Sequence, residues 1–115
     1  MTLPSDILVV DDDRYVRDTL AAVLEAEGYG VRCAPNGAQA LAMMRDHRPS
    51  AMVLDLMMPV MSGWELLELV GTDGDLSQIP VVVLSAVRGP AGVPQLAKPV
   101  SLEDLLRALD RVCER

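Results

Sequence analysis

The triplet Asp11-Asp12-Asp13, Asp55, Ser85 and Lys98 share one feature: each group stands directly after a short apolar run. Asp55 is the sharpest case, placed between Ala51-Met52-Val53-Leu54 and Leu56-Met57-Met58. An ionised carboxylate in apolar surroundings is costly unless it is paired, sits at a strand end near solvent, or binds a cation. Taken singly, each residue has an ordinary reading. Asp11 to Asp13 suit a helix N-cap and first turn, Asp55 could cap a short turn, Ser85 could be a turn residue and Lys98 a solvated charge. Brought together, they make a different chemistry. Clustered carboxylates repel one another unless a cation sits among them. Oxygen-only ligands in an open site suit Mg²⁺, which keeps several waters. With an ammonium and a hydroxyl nearby, such a site is an anion hole for a phosphoryl group, and Asp55 becomes a nucleophile able to form an aspartyl phosphate.

Whether they come together depends on the elements that carry them. Ile7 to Val10 reads as a strand covered on both faces. A helix follows from Arg14 to Glu27, with Val16, Leu20, Val23 and Leu24 on one face and Gly28 as its stop. Gly30 to Ala34 is a second strand, and Asn36-Gly37 opens a helix through about His47, closed before Pro49. Ala51 to Leu54 is the third strand, and Ser62 caps a helix through Val70. Ile79 to Leu84 is the fourth strand, and a short fifth is expected near Gln95 to Ala97. The last helix starts at Ser101, where Ser-Leu-Glu-Asp forms a capping box with Asp104, and Leu102, Leu105, Leu106, Leu109 and Val112 form its buried stripe. Alternating strands and helices imply a doubly wound parallel sheet, α/β in class. Such sheets bind ligands beyond the carboxyl ends of their strands. That is where the six polar residues fall.

Composition narrows the partners. The chain has 115 residues, enough for one domain, and the expected organisation is a single domain over 1–115. Seventeen acidic against ten basic residues give a net charge of −7, which argues against direct nucleic-acid binding and favours cations or basic protein surfaces. No apolar run nears the roughly 18 residues of a membrane span, and the N-terminus lacks signal-peptide character, so a cytoplasmic location is expected. Cys33 and Cys113 have no metal-like spacing and read as thiols in a reducing compartment. Phe is absent, so the core must be Leu, Val, Ala and Met.

The stretches Ile7–Asp13 (ILVVDDD), Val53–Leu66 (VLDLMMPVMSGWEL), Val81–Ala86 (VVVLSA) and Ala97–Pro99 (AKP) together resemble the receiver domain of bacterial two-component response regulators. The resemblance spans nearly the whole chain. It implies a flavodoxin-like five-stranded parallel sheet of order 2-1-3-4-5 with five helices. It also implies that Asp55 accepts a phosphoryl group from the phosphohistidine of a sensor histidine kinase or a phosphotransfer protein. Asp12 and Asp55 would ligate Mg²⁺ directly, Asp11 mainly through water, and the backbone carbonyl of Met57 would complete the protein ligands. Lys98 would pair with Asp55 and then with the phosphate, its bond to Pro99 being cis. Ser85 would be the hydroxyl that moves to the phosphoryl group. Pro59 and Gly63 would shape the loop after Asp55, with Met57, Met58 and Met61 as its packing residues. Such a domain is a signalling switch rather than an enzyme, read by a downstream protein or output domain.

Two departures stand out. The family usually has an aromatic residue three positions before the Lys, and here it is Gln95. Ser85 and Lys98 are also too close in sequence for the usual helix, and Gly89, Pro90, Gly92 and Pro94 lie between them. The fourth crossover helix is therefore expected to be missing or reduced to a loop over 86–96. That leaves an apolar strand-four and strand-five side with Leu96 uncovered, open to a homodimer or a partner, unless Val87, Val93 and Leu96 fold down as a plug. The alternative function is a phosphorylation-independent pseudo-receiver that acts as an interaction scaffold. An aspartyl-phosphate phosphatase is disfavoured, because Met57 stands where such enzymes carry a second Asp.

Overall fold

A computed structural model of the chain describes residues 5–58, 61–85, 93–97 and 101–113. Its elements, in chain order, are β1 (Asp6–Val10), α1 (Arg14–Ala26), β2 (Gly30–Ala34), α2 (Gly37–Asp46), β3 (Ala51–Asp55), α3 (Gly63–Gly71), a short 3-10 turn (Leu76–Gln78), β4 (Val81–Ser85), β5 (Gln95–Ala97) and α4 (Leu102–Cys113). The five strands form one parallel sheet of order β2-β1-β3-β4-β5.

Alternation along the strands divides the core into two layers. Leu8, Val10, Met52 and Leu54 point to one face, where Ala40 and Met44 of α2 and Leu66 and Val70 of α3 cover them. Ile7, Val9, Val53, Val82 and Leu84 point to the other, against Leu20 and Leu24 of α1 and Leu105 and Leu109 of α4. Strands β1, β3 and β4 are thus covered on both sides, which is why they read as unbroken apolar runs.

Local chemistry sets the helix ends. Asp13 caps α1, its carboxylate accepting from the amides of Tyr15 and Val16 at 2.9 and 3.3 Å. Gly28, at φ 94°, takes the left-handed turn that releases the chain towards β2. Asn36 caps α2 through the amide of Gln39, and Ser62 and Glu65 form a full capping box on α3. Ser101 accepts from the amide of Asp104 at 3.3 Å. Asp73 holds the 3-10 turn by accepting from the amides of Leu76 and Asp75, and these bonds lower its pKa. Since the folded value is the lower one, the stabilisation is present at neutral pH and fades as pH falls through it.

The fourth strand starts later than its apolar run implies. The amide of Ile79 bonds back to Leu76 at 3.1 Å, which keeps Ile79 in the turn, and Pro80 has no N–H to offer a ladder. The chain joins the sheet through the Pro80 carbonyl, which accepts from the Met52 amide at 2.9 Å, and residue pairing starts at Val81.

Between β4 and β5 no helix occurs among the described residues; of the expected loop, 86–92 lie outside them, and Val93 and Pro94 are irregular. The expected loss of cover is only partly met. Val82 to Ser85 are buried, and Leu96 packs against the α1/α4 layer rather than lying bare. The reason is the phase of β5: with Leu96 on the α4 side, the residues facing the α3 side are Gln95 and Ala97. What stays open there is a groove of about 320 Å³ lined by Leu67, Val70, Val81, Val93 and Pro94 among others.

Leu105 is fully buried where α4 meets the sheet. Leu105→Ala is expected to cost about 2–5 kcal/mol in urea unfolding, with an effect under 1 kcal/mol showing that α4 is only loosely seated.

Candidate functional site

The ladder brings the polar strand ends together. Val10 pairs with Leu54 across β1 and β3, so Asp11 emerges beside Asp55. Asp55 pairs with Leu84, so Ser85 follows one step beyond on the neighbouring strand. Asp11, Asp55 and Ser85 are the buried polar residues of the described chain, at 2 %, 5 % and 1 % exposure. Asp12 is exposed and reaches the same place from the β1–α1 loop. A carboxylate oxygen from each of Asp11, Asp12 and Asp55 lies within 4.8 Å of the others.

The neighbouring hydrogen bonds orient these groups. An oxygen of Asp11 accepts from the amide of Asp13 at 2.9 Å, and one of Asp55 accepts from the amide of Met57 at 3.2 Å. Arg17, one turn into α1, donates to the backbone carbonyl of Asp11 at 2.7 Å. No feature of the sequence singles it out from the other charged positions of the helix. Asp13 stands apart from the cluster and serves α1, as its place in the acidic run implies.

The donor set suits a hard cation. It consists only of oxygens, and the mutual repulsion of three such carboxylates is offset when a divalent ion sits among them. Opposite ligands of an octahedral Mg²⁺ lie about 4.2 Å apart, close to the spread found here.

Gly63 fits the loop that follows β3 to its surroundings. The amide of Gly63 donates to the carbonyl of Leu56 at 3.0 Å. A Cβ on Gly63 would stand 2.5 Å from the carbonyl oxygen of Asp55 and 2.6 Å from the Cα of Leu56. Of the three methionines expected to pack this loop, Met58 is buried and Met61 packs against the same layer. Met57 does not: its side chain is 61 % exposed. Leu56 before it and Met58 after it are buried, and the position between them turns outward. Lys98, Pro99 and Pro59 lie outside the described residues, and Gln95 stands on β5 with intermediate burial.

Residues 7–110 match the family model described as the response regulator receiver domain. The chain belongs to that family. A curated relative, the response regulator MprA of a Mycobacterium species (strain KMS), is 40 % identical over 122 residues, covering 98 % of this chain and 52 % of the relative. The receiver therefore spans about half the length of the curated relatives it matches. Two crystal structures share its fold. One is the chemotaxis protein CheY4 of Vibrio cholerae, with a TM-score of 0.87 and 30 % identity over 95 % of this chain and 98 % of that one. The other is the signal receiver domain of a signal transduction histidine kinase from Syntrophus aciditrophicus, with a TM-score of 0.89 and 27 % identity over 96 % and 90 %. The aligned length of 122 against MprA exceeds the 115 residues present, so that relative carries residues this receiver lacks. No described helix is long and apolar enough to cross a membrane.

Because backbone rather than a movable side chain faces Gly63, Gly63→Ala is expected to destabilise the receiver by about 1–3 kcal/mol. Urea unfolding measures this, and an unchanged midpoint would show that the end of β3 can give way.

Proposed function

We propose that this receiver is a phosphoacceptor switch of a two-component system, with Asp55 as the acceptor. The observation that carries the reading is the convergence of three carboxylates with the buried Ser85 hydroxyl at one sheet edge. In the reaction an Asp55 oxygen attacks the phosphorus of a donor phosphohistidine. The P–N bond breaks, and its electron pair stays on the imidazole nitrogen. Asp12, Asp55 and the backbone carbonyl of Met57 would hold Mg²⁺, with Asp11 acting mainly through water. Bound there, the ion supplies positive charge against the phosphoryl oxygens.

The chain's own groups divide the remaining work. The amide of Met57 holds one Asp55 oxygen and so orients the carboxylate. Lys98 supplies the second positive charge, and Ser85 offers one hydrogen bond to the phosphoryl group once it is in place. The donor is a sensor histidine kinase or a phosphotransfer protein in the cytoplasm. The readout is a downstream protein or an output domain. The 1–115 segment acts as a single switching domain. A homodimer or partner on the β4–β5 side would meet the groove lined by Leu67, Val70, Val81, Val93 and Pro94.

Intact mass after incubation with a small-molecule phosphodonor tests the acceptor. A single phosphoryl gain is expected with Mg²⁺ and none in its absence, and Asp55→Asn removes it. Gain that persists in Asp55→Asn would move the acceptor to another carboxylate. No gain under any condition would leave a phosphorylation-independent scaffold.

Ser85→Ala should still be phosphorylated, because a hydroxyl contributes one hydrogen bond while the charge comes from elsewhere. Its amide shifts on β4 and β5 should move less on phosphorylation than those of the parent. Complete loss of phosphorylation would give Ser85 a direct part in the chemistry.

A further inference from the structure

The first residue of α2 abuts the loop beyond Asp55. Gly37 is buried, and a Cβ built on it would lie 2.8 Å from Cγ, 2.9 Å from Sδ and 3.0 Å from the carbonyl oxygen of Met61. Among the described glycines the positive φ belongs to Gly28. Gly37 therefore meets no demand of backbone conformation, and glycine is the poorer choice for a helix. What requires it is the close approach to Met61. The approach is fixed from the α2 side, because Asn36 caps the helix through the amide of Gln39 at 2.9 Å. From the other side, Met61 rests on the layer that holds Met58 and Leu54. Two residues on, Gly63 is fastened to Leu56. The loop is thus held at its start by β3, at its end by Gly63, and near that end by the butt of α2.

We propose that Gly37 is a positioning residue for the β3–α3 loop. By leaving room for Met61, it lets α2 set where the loop runs, and with it the backbone of Met57. The further consequence for Mg²⁺ and phosphoryl transfer rests on the phosphoacceptor reading. A methyl group at position 37 pushes Met61 outward, and the loop shifts with it. Removing the Met61 thioether withdraws the same abutment from the opposite side. Combining the two changes lets the new methyl occupy space that the thioether vacated, so the two effects offset one another.

Gly37→Ala, Met61→Ala and the double variant, prepared with ¹³C-methyl methionine, test this. Each single change should displace the Met57 methyl resonance, and the double variant should bring it back towards the parent position. In Mg²⁺ titrations followed by emission of Trp64, the sole tryptophan, each single change should weaken binding about threefold to tenfold, and the double variant less. Urea unfolding of all three separates this from loss of fold. If Gly37→Ala does not fold, Met61→Ala alone must still displace the Met57 resonance. An unmoved Met57 resonance in the single variants, or a double variant as impaired as the two effects combined, overturns the proposal. Displaced and restored resonances in a chain that takes no phosphoryl group would end the phosphoacceptor reading and leave the abutment standing.

Discussion

Three carboxylates within 4.8 Å of one another are a self-repelling arrangement, and much of this fold can be understood as the scaffold that holds it. Two of the three are buried, and the apolar ladder beneath them allows little retreat. Asp11 and Asp55 stand at the ends of β1 and β3, whose preceding residues are locked by parallel hydrogen bonding and covered from both sides. Moving either carboxylate away would require sliding a strand. A shift by one residue would turn its whole apolar set to the wrong layer. Register therefore maintains the site at the expense of the charges in it.

The loop after β3 obeys a related constraint. The Met57 amide reaches back to an Asp55 oxygen at 3.2 Å, and α3 begins at Gly63. At Gly63 the start of α3 meets the end of β3 backbone to backbone, whereas Gly37 meets the Met61 side chain and its carbonyl oxygen. The Gly63 contact is stiff, because no rotamer can absorb a displacement there. Met58 fills the layer below while Met57 turns to solvent, so the same short segment serves both the core and the site.

Among the described residues no helix lies between β4 and β5, yet the strands at this edge are not bare. β4 remains covered, and β5 directs Leu96 to the layer supplied by α4. The opposite side of β5 carries Gln95 and Ala97. Gln95, partly buried on β5, stands where the receiver resemblance implies an aromatic residue.

Much of the polar sheet edge was legible from the order of residues. Apolar runs ending in Asp11, Asp55 and Ser85 identify strand ends, and strict alternation of strands with helical faces implies a parallel sheet whose ends share one edge. The role of Asp13 as a cap followed from its position before a helix. Late entry into β4 did not, because Ile79 is as apolar as any strand residue and only a turn hydrogen bond to Leu76 holds it back. The outward turn of Met57, the bond from Arg17 to the Asp11 carbonyl and the close approach of Gly37 to Met61 were likewise invisible. Patterns of hydrophobicity and charge report which elements form and which face they bury, because those choices are local. Which side chain meets which backbone across two elements depends on separations of a few tenths of an ångström, and those exist only after the helices have docked on the sheet.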